Sequence, residues 1–193
     1  MTKQLLNKLI LIAASGIALL GSTGAMAQQK LIPAQSELAF TSKQMGVAVE
    51  GRFKKFDAQI AFDPAKPANT KIAFTIDTGS ATLGVPDSDA ELPKPAWFGV
   101  AKYPQATFQS GAVKSLGGGK FEISGKLTIK GNTKDITFPV SLTQSGGLTN
   151  VTGEFVLKRL AFKIGENEWA DTSMVADDVQ VKFKLVLSGV AKI

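Results

Sequence analysis

The sequence contains no histidine and no cysteine. Without histidine there is no Ser-His-Asp nucleophile and no imidazole metal ligand. Without cysteine there is no thiol nucleophile, thiolate zinc site or disulfide. Tyrosine occurs once and tryptophan twice, so the aromatic content rests on 12 phenylalanines. Acidic residues number 16 against 22 lysines and arginines, and the basic residues are scattered rather than clustered. Such diffuse charge favours solubility and gives no nucleic-acid footprint. Asp87, Asp89 and Glu91 alternate loosely like the start of a calcium loop. The glycine required at the sixth position and the glutamate at the twelfth are missing, so they read as a solvated turn. The run Gly117-Gly118-Gly119-Lys120 continues into Phe121 and an alternating segment. A phosphate loop needs Ser or Thr after the lysine and a following helix, so this run reads as a hairpin turn.

What is present starts with the chain's first residues. Lys3 and Lys8 precede an apolar run from position 9 to 20, and small residues follow, ending in Ala25-Met26-Ala27. This is the layout of a secretory signal peptide with a small-x-small cleavage site. The run is shorter than the roughly 20 residues that span a bilayer. Residues 1–27 are therefore expected to be removed after Ala27 and the remainder exported to the periplasm. Removing the two lysines of that segment leaves 166 residues and a net charge of +4. That length is one ordinary domain, 28–193, large enough to bury a core without disulfides.

Period-two alternation dominates residues 28–193. It runs through Leu38 and Phe40, Ile60 and Phe62, Ile72, Phe74 and Ile76, and Phe121, Ile123, Leu127 and Ile129. It resumes in Ile136, Phe138, Val140 and Leu142, and in Val179, Val181, Phe183, Leu185 and Leu187. These are strands with one buried face, about eight in number, with turns at Asp63-Pro64, Gly131-Asn132 and Gly146-Gly147. The fold class is all-β, an antiparallel barrel or sandwich. Between positions 85 and 104 the alternation stops, and internal prolines exclude a long helix. This short helical or irregular excursion is a candidate functional loop. The phenylalanines at inward positions fit either a filled core or a lined cavity, because both give the same alternation.

Six segments, in order, resemble the YceI-like family of exported bacterial proteins, from about Leu31 to Val190. The strongest is "GKLTIKGNTKDITFPV" (125–140), which is similar to the family's strand-turn-strand signature at Gly125, Leu127, Thr128, Ile129, Gly131, Thr133, Lys134 and Ile136. The others are "SELAF" (36–40), "EGRFKKFDAQIAFDP" (50–64), "IDTGSATL" (76–83), "DAELPKPAWFGVAKYPQATFQS" (89–110) and "KRLAFKIG" (158–165). The resemblance implies a single eight-stranded lipocalin-like barrel holding an isoprenoid lipid or isoprenoid quinone. It implies no enzymatic activity, catalytic residue, catalytic cofactor or metal site. Many members carry a histidine where this chain reads "SKQMG" (42–46), so a histidine contact to a head group is missing; Gln44 and Lys43 remain as polar candidates.

The candidate ligand-binding wall consists of Leu38, Phe40, Met45, Val49, Phe53, Ile60, Phe62, Phe74, Ile76, Phe108, Leu127, Phe138, Phe155 and Phe162. Trp97 and Phe98 are candidates for closing the mouth. The expected function is a periplasmic carrier sequestering the isoprenoid chain; the alternative is an accessory electron-transfer protein presenting a quinone to a membrane b-type cytochrome. Candidate partners are the lipid itself, the membrane surface or that cytochrome in transient contact, and a second copy of the chain in a homodimer.

Overall fold

Strand alternation becomes one curled antiparallel sheet in the computed structural model, which describes residues 29–193. The expected signal peptide and its cleavage site lie outside the described residues. In chain order the strands are β1 (Lys30–Leu31), β2 (Glu37–Gln44), β3 (Val47–Phe53), β4 (Phe56–Ala61), β5 (Lys71–Asp77) and β6 (Ala81–Thr82). The one α-helix among the described residues, α1 (Pro86–Glu91), precedes β7 (Gln105–Gly117), β8 (Lys120–Ile129), β9 (Asn132–Ser145), β10 (Leu148–Lys158) and β11 (Asp178–Ser188). The sheet has 11 strands, not the eight expected. β1 and β6 are two residues each, too short for alternation to register, and one apolar run is divided into β3 and β4 at Lys54-Lys55.

That division curls the sheet. The strand order is β4-β5-β7-β8-β9-β10-β11-β2-β3-β6, with β1 beside β11. β3 pairs with β2 and β4 pairs with β5, so the two sides of a two-residue break stand near opposite ends of the order. One bend of the chain thus joins the sheet's ends and brings the apolar faces together inside a barrel. Ser80 pins the bend: its carbonyl accepts from Lys54 N at 3.1 Å and its hydroxyl from Lys55 N at 3.0 Å.

Inward glycines let the wall curve. A side chain on Gly51 would meet the Phe40 ring at 2.3 Å, one on Gly125 the Phe108 ring at 2.6 Å, and one on Gly153 the Phe183 ring at 2.4 Å. In each case a phenylalanine of the neighbouring strand lies across the space a Cβ would fill, the aromatic cover that glycine in a strand invites.

The β8–β9 turn sits one residue earlier than expected. Ile129 pairs with Asn132, leaving Lys130 and Gly131 as the two-residue loop, both with positive φ (48° and 74°). Two central residues of that conformation make the primed turn that suits strand twist. Lysine accepts it here because its ammonium is held by Glu166 at 2.8 Å and the Lys163 carbonyl at 2.7 Å. Asn132, with its side chain on the Lys130 and Phe162 carbonyls, opens β9 instead.

Candidate functional site

Both ends of the barrel are covered. At one end the Gln29 side chain imitates a strand partner for Phe62, donating to its carbonyl at 2.6 Å and accepting from its N–H at 2.9 Å. Gln144 holds the C-terminal residues there, donating to Ala191 O at 2.8 Å and accepting from Ile193 N at 3.0 Å. Phe62 meets Phe121 edge to face beneath them, 5.2 Å between centroids.

At the other end two irregular segments, 78–104 and 159–177, interlock. The Ala96 carbonyl accepts from Gly165 N at 2.8 Å and Glu166 N at 2.9 Å. Arg159, 2 % exposed, gives five hydrogen bonds to main-chain carbonyls of Ala176, Ile164, Gly165, Trp169 and Val175, at 2.6–3.0 Å. Burial pushes its pKa down from the usual arginine range, opposed by nearby Asp177. Asp177 in turn accepts from Leu160 N at 2.9 Å. Glu166 is held below the usual glutamate value, first by its hydrogen bond from Lys130. In α1, Asp89 is likewise held low, first by the Thr82 hydroxyl and then by the Leu83 N–H.

Between these covers lies a cavity of about 170 Å³ lined by apolar side chains alone. Of the residues expected at the wall, Leu38, Phe53, Ile60, Phe62, Phe74, Ile76, Phe98, Phe108, Leu127, Phe138 and Phe155 border it. The other five do not. Met45 is 71 % exposed, at the tip of the β2–β3 hairpin with φ 48°, because the hairpin runs past the barrel rim. Val49 is on the same overhang, half-buried. The Phe40 ring is spent on Gly51 and Phe53, the latter at 5.4 Å. Phe162 is buried in the core with its carbonyl toward Asn132. Trp97 turns toward Trp169 at 5.6 Å, and its indole N–H is buried without a partner among the described residues. Phe98 alone of the expected mouth pair reaches the cavity, packing edge-on to Phe53 at 5.7 Å.

The cavity also takes residues left off the candidate ligand-binding wall, among them Phe121, Ile123, Ile136, Val140, Val181, Phe183 and Leu185. All stand in alternating runs, and strand parity alone would have placed them. Among the described residues no three acidic side chains converge as metal ligands would. With neither charge nor hydrogen-bonding side chain in its lining, the cavity can hold an apolar group and offers no group to react with it.

Comparison with known proteins places this geometry. The model of the YceI-like domain matches residues 30–187. A UPF0312 protein of Azotobacter vinelandii is 33% identical over 146 residues, covering 74% of this chain and 76% of its own length. The crystal structure of BcnA from Burkholderia cenocepacia is 46% identical and superposes with a TM-score of 0.78, covering 81% of this chain and 98% of that one. A polyisoprenoid binding domain from Saccharophagus degradans shares the fold at 17% identity, with a TM-score of 0.66 and coverage of 83% and 98%. The chain belongs to the YceI-like family, and its curled all-β sheet is that family's fold.

Proposed function

We propose that the protein is a periplasmic carrier that sequesters the hydrocarbon chain of an isoprenoid lipid inside its barrel. The observation that supports this most is the purely apolar cavity. Water there would find no hydrogen-bond partner, so the site favours an occupant that is itself apolar. Each CH2 moved from water into such a space contributes about 0.8 kcal/mol, and a few isoprene units suffice for tight retention. Family membership and the fold shared with a polyisoprenoid binding domain are consistent with this occupant.

The role asks for storage and release rather than chemistry. Covers at both ends exclude water from the chain, while a net charge of +4 on residues 28–193 eases visits to anionic membrane surfaces. Calorimetric titration with prenols of increasing length tests the reading. Affinity is expected to rise roughly tenfold or more per isoprene unit until the barrel is full, then level. Affinity independent of chain length would contradict it.

A further inference from the structure

The β-ladder has a seam. β9 and β10 pair only from Leu148↔Ser145 to Gly153↔Val140. Beyond that point β9 keeps its partner β8 up to Asn132, and β10 keeps β11 up to Lys158. Residues 132–139 and 154–158 therefore part from each other, leaving main-chain polar groups on both strands without ladder partners. On the outer surface a groove lined by Pro139, Ser141, Thr152, Gly153, Glu154, Lys182 and Phe183 opens where the ladder stops, its one lysine facing Glu154 at 3.8 Å. Inside, Phe138 and Phe155, both bordering the cavity, stack across the seam at 5.0 Å.

Lys134 stands on this seam. It pairs with Leu127, whose side chain lines the cavity, so Lys134 belongs to the inner face of β9. Yet it is exposed, whereas Phe138 and Val140, further along the same face, are buried. A lysine on the inward face of a barrel strand is tolerable only where the wall is open. Lys163, also exposed, follows Phe162, whose carbonyl accepts from Asn132 at the head of β9. Neither lysine forms an ion pair among the described residues. The acids nearby form their ion pairs elsewhere: Glu166 with Lys130, Asp135 with Lys126, and Glu154 with Lys182, although the charge of Lys163 also acts on Glu166.

We infer that the seam between β9 and β10 is the site of the ligand's head group. An anionic group, phosphate or carboxylate, would be held there by Lys134 and Lys163, while its chain passes the stacked Phe138–Phe155 pair into the cavity. This rests on the carrier reading above and sharpens it by selecting charged lipids over neutral ones. Two flexible ammonium groups suit a phosphate as point charges, and their attraction weakens with added salt.

The test compares a prenyl monophosphate with the prenol of equal chain length, by calorimetry on the wild type and on K134Q/K163Q. The wild type is expected to prefer the phosphate by about tenfold or more, the size of one charge-assisted contact. In the double variant that preference should vanish while prenol affinity and thermal midpoint hold. Equal affinities for both ligands in the wild type, or a preference that survives the substitutions, would overturn the head-group site and leave the carrier reading intact. Failure of both ligands to bind would overturn the carrier reading as well. Inorganic phosphate titrated alone separates a free anion from a lipid head group. Only weak binding is expected, and affinity matching the prenyl phosphate would overturn the lipid assignment.

Discussion

Arg159 and Gly165 show how two residues of a short motif can fix a barrel's cover. The guanidinium has five N–H donors, and all five meet carbonyls of the segment that follows it. Gly165 has φ +75°, and a Cβ there would lie 2.2 Å from Arg159 Nη1, so the glycine is the space the guanidinium occupies. Arg159→Lys supplies three donors instead of five and strands buried carbonyls. It is expected to lower stability by roughly 3 kcal/mol, read from the midpoint of denaturant unfolding. Gly165→Ala should cost at least the 1–2 kcal/mol of a left-handed alanine, with the collision added. An unchanged midpoint in both variants would mean the cage is not what holds residues 159–177. The segment "KRLAFKIG" was conspicuous in the sequence, but its reason was not. Nothing in the local pattern tells that a charged side chain will be enclosed by carbonyls up to 17 residues away.

At the scale of single elements, α1 depends on one carboxylate. Asp89 accepts from the Thr82 hydroxyl and the Leu83 N–H, tying the helix to β6. Its folded pKa is lowered from 3.8, so the stabilisation is present above that value and is lost as pH falls through the folded one. Glu166 follows the same sign from 4.5, through its bond from Lys130. Protection of residues 83–91 against hydrogen exchange, taken relative to the intrinsic rate at each pH, is therefore expected to fall as pH drops below 3.8, and Asp89→Asn should show low protection already at neutral pH. Protection indifferent to both changes would contradict this tether.

β2, β4, β5, β8, β9 and β11 were legible because one face of each is largely apolar. Less was legible where tertiary contacts decide. The β8–β9 turn rests on Lys130-Gly131 because Glu166, 36 residues on, holds the lysine. Met45 has the hydrophobicity of a wall residue but sits on a hairpin tip outside the barrel. Alternation gives the face of a strand, not how far the strand runs beyond its neighbours.

Considered whole, the molecule is a barrel whose wall is one sheet joined to itself through Lys54-Lys55 and left unpaired along part of β9 and β10. The apolar interior could be anticipated from twelve phenylalanines and the lack of histidine and cysteine. Whether the interior was filled or open could not, since packing volume is not written in periodicity. Leu127, buried in the wall, offers a way to close it. Leu127→Trp should occupy the cavity at a cost of about 1–3 kcal/mol for overpacking, leaving a folded protein without capacity for ligand.

The most direct test of lipid carriage is to isolate the protein from its host, extract it with organic solvent and identify the extract by mass spectrometry. An isoprenoid lipid in near-equimolar amount is expected from the wild type and none from Leu127→Trp. A wild-type barrel that yields no lipid, or the same lipids as the plugged variant, would contradict it.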